Sequence, residues 1–126
     1  MKTKLLALFP ILTLSIFCIT AHANTCSELV ETNSKSAIAI CQNELAQNPN
    51  NAELQFYLAT AYYLEENYTQ AIEWHTKSAN QGYAEAQYNL GTMYHNGRGV
   101  KQDLNTAKQW LTKACENGYD LACQYL

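Results

Sequence analysis

The sequence predicts an all-α fold, a short array of stacked helical repeats, on two observations. First, the stretch from Ala71 to Leu126 repeats itself at a spacing of 36 residues: Ala71 recurs as Ala107, Trp74 as Trp110, Lys77 as Lys113, Gly82 as Gly118, Tyr83 as Tyr119, Ala86 as Ala122 and Leu90 as Leu126. Identities at one fixed offset are the mark of a repeat array, in which each unit buries its apolar face against its neighbour. Second, the apolar positions fall at helical spacing. Leu58, Ala59 and Tyr62, and again Leu90, Gly91 and Tyr94, stand at i, i+1 and i+4, which places them on one helix face.

The elements follow in order. Lys2 and Lys4, the apolar run Leu5 to Thr20 and the small-x-small group Ala21-His22-Ala23 read as a secretory signal peptide over residues 1–23. The run contains Pro10 and is shorter than the roughly 20 residues a membrane span needs, so no stable span is expected after cleavage. A mature chain of residues 24–126 follows, with a truncated first repeat over 24–50. Within it we expect a short helix over Cys26 to Asn33 and a second from about Ser36 to Asn48, ended by Asn48-Pro49-Asn50-Asn51, because proline disfavours helix in the residue before it. Further helices are expected at about 52–65, 68–80, 84–96, 104–116 and 119–126, the last a partial capping helix. Gly82 and Gly118 stand just past helix ends, where a left-handed residue caps the carbonyls. Asp103 stands at a helix start, where a carboxylate accepts the free amide hydrogens. Small residues at 59, 71, 91 and 107 let helices approach closely, while Tyr57, Tyr62, Tyr68, Trp74, Tyr94 and Trp110 are expected in the core.

Residues 84–107, AEAQYNLGTMYHNGRGVKQDLNTA, resemble the SEL-like repeat, and residues 52–82, AELQFYLATAYYLEENYTQAIEWHTKSANQG, resemble a tetratricopeptide unit. The resemblance implies a right-handed solenoid of antiparallel helix pairs, about two and a half to three repeats: a tetratricopeptide-like unit over 51–82 and a SEL-like unit over 83–118. Tyr62 to Ala71 spans nine residues but Tyr94 to Ala107 spans thirteen; the extra residues sit in the Gly97-Arg98-Gly99-Val100 loop that distinguishes the SEL-like unit.

Cys18 would leave with the signal peptide, and the four remaining cysteines, Cys26, Cys41, Cys115 and Cys123, allow three pairings in an exported chain. No C-x-x-C redox spacing occurs. The segment around Cys115 and Cys123 resembles exported, cysteine-rich SEL-like proteins, and that resemblance implies a Cys115–Cys123 disulfide across the Gly118 turn, leaving Cys26 with Cys41.

Removing Lys2 and Lys4 leaves six basic residues against eleven acidic ones and moves the formal charge from −3 to −5. There is no basic run and Arg98 is the only arginine, so nucleic-acid binding is not expected. His75 and His95 are the only histidines after residue 23, and neither has a second ligand at i+4, so no metal or cofactor is expected; His75 reads as a core or interfacial residue. The cysteine-rich relatives raise β-lactamase-like hydrolysis as an alternative, but S-x-x-K and K-T-G are absent and no catalytic residues are assigned.

What remains is surface. The resemblance implies that the first helix of each pair lines a concave side, with Glu53, Phe56, Thr60 and Tyr63 in one unit and Glu85, Tyr88, Thr92 and His95 in the next facing outward. Steps of three and four residues keep each row on one helix face, and rigid aromatics commonly anchor interfaces. The expected function is therefore an exported protein-interaction module, periplasmic or secreted from a bacterium, binding a protein or peptide of the envelope as an adaptor or regulator. An inhibitor or immunity protein acting on a cell-wall hydrolase or toxin is the alternative.

Overall fold

The computed structural model describes residues 25–126, so the expected signal peptide lies outside the described residues. Seven helices and no strands are found among them: α1 (Cys26–Leu29), α2 (Ser34–Gln47), α3 (Ala52–Leu64), α4 (Tyr68–Asn80), α5 (Ala84–Asn96), α6 (Leu104–Glu116) and α7 (Asp120–Cys123). The most extensive contacts are within the pairs α3–α4 and α5–α6, and α2–α3 and α4–α5 join successive units. The result is a helical repeat solenoid with a core laid out in series. One apolar cluster gathers Cys26, Val30, Ala37, Cys41, Leu45, Leu58 and Ala61, the next Ala79, Ala86 and Leu90, and the last Leu111, Ala114 and Ala122.

Local chemistry sets the boundaries. Asn33, Asn51, Asn67 and Asp103 cap α2, α3, α4 and α6, each side chain accepting an amide hydrogen of the first turn. Asp103 accepts from the amides of Asn105 and Thr106, both at 3.0 Å, and from the Thr106 hydroxyl at 2.7 Å. The hydrogen bond from the Thr106 amide leads the effects that hold its carboxyl below the usual carboxylate range. Tyr83 and Tyr119, at the starts of α5 and α7, make no side-chain cap; their rings reach into the preceding unit instead. Gly82 and Gly118 follow the ends of α4 and α6 with φ of 88° and 92°, as their positions imply.

The terminal elements are shorter than expected. α1 stops at Leu29, where the Thr32 hydroxyl takes the Glu28 carbonyl and Asn33 begins to cap α2. α7 stops at Cys123, and Gln124, Tyr125 and Leu126 are exposed, with nothing to reward continuing the helix. The expected core aromatics Tyr57, Tyr62, Tyr68, Trp74, Tyr94 and Trp110 are half-buried rather than enclosed. Aliphatic side chains and small residues fill the interior, and the rings cover it while their polar atoms reach outward. Trp74 and Trp110 are each overlaid by the lysine three residues on: the Lys77 and Lys113 ammonium groups lie 3.9 and 4.4 Å from the ring centroids. This cation–π contact explains why tryptophan and lysine recur together.

A second repeating device is polar. Gln55 donates to the Pro49 carbonyl at 2.8 Å and accepts from Gln81 at 2.8 Å. One unit on, Gln87 donates to the Ala79 carbonyl at 3.0 Å and accepts from Asn117 at 2.8 Å. Each buried glutamine thus joins both helices of its own unit to the segment before it, with its amide satisfied at both ends.

At the closest approach of α5 to α6, a Cβ on Gly91 would lie 2.8 Å from the Leu111 Cγ, so only glycine fits without a shift. The 97–100 loop folds back on the preceding unit. Gly99, at φ 71°, faces Tyr68 so closely that a Cβ would lie 2.6 Å from the Tyr68 Cβ and 2.9 Å from its carbonyl oxygen, while Arg98 donates to the Tyr63 hydroxyl. Gly99→Ala is expected to cost at least about 3 kcal/mol, combining left-handed strain with a backbone clash. Gly82→Ala, whose added methyl meets nothing within 4 Å, is expected to cost about 1 kcal/mol from strain alone. Urea unfolding of both variants checks this; equal losses would mean that the loop is not held against Tyr68.

Candidate functional site

The two rows expected to face outward are only partly gathered into one place. Thr60 and Tyr63 of α3 and Thr92 of α5 line a single hollow of about 130 Å³. Its other walls are His75 of α4 with Asn89 and Met93 of α5. Both threonine hydroxyls donate to carbonyls of their own helices, Thr60 to Phe56 at 2.9 Å and Thr92 to Asn89 at 2.8 Å. Tyr63 forms the outer wall. Its ring lies edge-on to Tyr68 at 5.3 Å, and the Arg98 guanidinium lies 5.6 Å from its centroid.

His75 is the residue that the sequence placed in the core or at an interface without a role. It is 1% exposed, and neither ring nitrogen has a hydrogen-bond partner among the described residues. Burial pushes its pKa down to about 3, so the imidazole is neutral at ordinary pH. A signal for it did exist in the sequence: the 36-residue offset aligns His75 with Leu111, a core leucine that is 3% exposed.

Phe56 and Tyr88 are half-buried and engaged between units. The Phe56 ring centroid lies 5.2 Å from that of Tyr83 and 5.7 Å from that of His75. The Tyr88 ring repeats the arrangement one unit on, 4.8 Å from Tyr119, and adds Tyr125 at 5.9 Å. The hydrogen bond with Tyr125 is the first cause, and burial the second, of a Tyr88 pKa pushed up to about 12. Tyr88 and Phe56 therefore serve inter-unit packing, whatever part of their rings a partner also touches. His95 is exposed, with its Nδ1 3.2 Å from the Asn96 Oδ1.

Glu53 and Glu85 stand in the first turns of α3 and α5, at the opposite end of these helices from Tyr63 and His95. Tyr57 approaches Glu53 at 3.4 Å. Burial first, then the Glu85 and Glu53 carboxylates, push the Tyr83 pKa up to about 12, and burial and Glu53 raise that of Tyr57. The face thus runs from an acidic rim to a neutral polar hollow bordered by Arg98.

Both expected disulfides are present, Cys26–Cys41 and Cys115–Cys123. Among the described residues no cluster of His, Cys, Asp or Glu is arranged to hold a metal ion, and no helix is long and apolar enough to cross a membrane.

Stacked helix pairs with the longer second-unit loop define a helical repeat protein. The Sel1 repeat model matches residues 39–83 and 84–119, so the chain belongs to the Sel1 repeat family. The first match takes in most of the segment that resembles a tetratricopeptide unit. Among curated proteins, the chain is similar to the chitin synthase regulator SKT5 of Malassezia restricta, 33% identical over 97 residues, covering 72% of this chain and 7% of that protein. It is also similar to the ERAD-associated E3 ubiquitin-protein ligase component HRD3 of Candida glabrata, 28% identical over 87 residues, covering 69% of this chain and 10% of that protein. The DAP3-binding cell death enhancer 1 of Rattus norvegicus is 39% identical over 51 residues, covering 40% of this chain and 10% of that protein. The chain spans about a tenth or less of the length of these relatives.

Proposed function

We propose that this chain is an exported interaction module, periplasmic or secreted from a bacterium, that binds a protein or peptide segment of the envelope across α3 and α5 as an adaptor or regulator. The observation that carries the binding role is the hollow that Thr60 and Tyr63 of one unit close with Asn89 and Thr92 of the next over a buried, unpartnered His75. A groove shared by successive repeats is where a solenoid offers a continuous concave surface. The names of the relatives, a regulator, a ligase component and a binder of another protein, support the same kind of role. Two disulfides in a domain this small support an oxidising compartment, as does the signal-like stretch over residues 1–23.

The test is affinity capture from periplasmic extract with the oxidised protein and a Thr60→Arg/Thr92→Arg variant of unchanged helicity, read by mass spectrometry and repeated with the purified partner. The expected result is one protein that binds the wild type and binds the variant at least tenfold more weakly. A partner held equally by both would move the binding surface away from α3 and α5. An adaptor leaves the partner's own activity intact, whereas loss of that activity on binding would establish an inhibitor.

A further inference from the structure

We infer that the hollow over His75 is a socket for the terminal carboxamide of an asparagine or glutamine side chain on the bound chain; this deepens the binding role proposed above and rests on it. The size fits. At about 130 Å³, the hollow has room for roughly four water-sized non-hydrogen groups, about what the end of such a side chain contains.

The hydrogen-bonding pattern selects the chemistry. The Thr60 and Thr92 protons are committed to the Phe56 and Asn89 carbonyls, so each hydroxyl has only acceptor lone pairs left to offer. A neutral His75 adds one acceptor nitrogen and one N–H donor, and the Asn89 carboxamide adds one acceptor oxygen and an amino group. The lining is therefore rich in acceptors but keeps donors at two places. A carboxylate brings only acceptors and would face the threonine oxygens uncompensated, at the cost of burying its charge. Arg98 offers it no relief, because it lies outside the lining and donates to the Tyr63 hydroxyl. An ammonium would find acceptors but no counter-charge among the lining residues, with the Arg98 guanidinium at the edge. A primary carboxamide brings two donor hydrogens and one acceptor oxygen without charge, which matches.

The repeat supports a role beyond packing. The position equivalent to His75 in the next unit is Leu111, which is buried in the core. A leucine satisfies the fold there, whereas a buried imidazole without partners costs stability that a bound group would restore.

The experiment titrates the oxidised protein with propionamide, N-methylacetamide, propionate and propylammonium, following the His75 ring and Asn89 side-chain resonances by NMR. Propionamide is expected to shift both saturably, at the millimolar level suited to so small a molecule. The other three should act at least tenfold more weakly, N-methylacetamide because a backbone-like amide has no primary amino group. Thr60→Val/Thr92→Val keeps the shape, removes both acceptor oxygens and is expected to raise the propionamide Kd at least tenfold. Asn89→Leu, at a half-buried position, provides the same loss if the double variant does not fold. No saturable response to propionamide, which would mean a water-filled hollow only, overturns the socket, as does an equal response to all four molecules. Either result leaves the capture experiment free to succeed, so the two readings fail separately.

Discussion

Breaking both disulfides is expected to remove about 5 kcal/mol of stability, the largest effect of any simple treatment of this protein. The closed loops span 15 and 8 residues, and loop entropy assigns them about 3 and 2.5 kcal/mol. Against a total of roughly 5–15 kcal/mol for a small domain, the reduced chain would sit near its unfolding midpoint at physiological temperature. The two bonds are not equivalent. Cys26 and Cys41 are fully buried in the first apolar cluster, and their bond holds α1, a helix of only four residues that is otherwise fastened by its Thr25–Glu28 capping box and the 3.0 Å bond from the Cys26 amide to Glu44. Cys123 is exposed and Cys115 half-buried, so mild reductant should open the second bond first. Timed alkylation with mass mapping should label Cys115 and Cys123 well before Cys26 and Cys41. Urea unfolding of Cys26→Ala/Cys41→Ala and Cys115→Ala/Cys123→Ala measures the separate losses. A loss under about 1 kcal/mol from the first pair would mean that the α1 segment is not part of the cooperative fold.

The middle of the fold was legible because signals at several levels agreed there. For α4, α5 and α6 the 36-residue identities, the capping residues and the glycines past the helix ends all pointed to the same boundaries, and the helices occupy 68–80, 84–96 and 104–116 as read. The terminal elements lack such agreement. Helical pattern alone extended α1 to Asn33 and the last helix to Leu126, but a helix of one or two turns persists only where packing supports it. The hollow was half legible for a different reason. Periodicity along one helix correctly put Thr60 and Tyr63 on one face and Thr92 on another. It could not show that Phe56 meets Tyr83 and Tyr88 meets Tyr119 across the unit boundary, because those pairings depend on how the units stack. His75 escaped notice as a site residue because it stands on the second helix of its pair, outside the rows considered, although its alignment with Leu111 marked it as a polar residue in an apolar position.

Acidification is expected to destabilise the protein through His75 well before its carboxylates protonate. The folded-state pKa of about 3 lies below the unfolded value near 6.5, so between these values the unfolded chain binds a proton that the folded chain refuses. Stability is therefore full above about pH 6.5 and falls as pH is lowered, by about 1.4 kcal/mol per unit once well below 6.5. From pH 7 to pH 4.5 the loss amounts to about 2.5 kcal/mol. The fully exposed carboxyls Glu73 and Asp103, held low mainly by Lys77 and by the Thr106 amide respectively, release their contribution only as pH falls through the carboxylate range, below this window. His75→Met should therefore flatten the profile between pH 7 and 4.5 in urea unfolding, and an unchanged slope would mean that the buried imidazole does not set it. The same variant separates fold from function. At pH 7 it replaces two unsatisfied nitrogens with an apolar chain like the leucine of the next unit, so stability should rise by about 1 kcal/mol or more, while the response to propionamide should disappear. A residue whose removal strengthens the fold and abolishes ligand recognition is held there for what it binds.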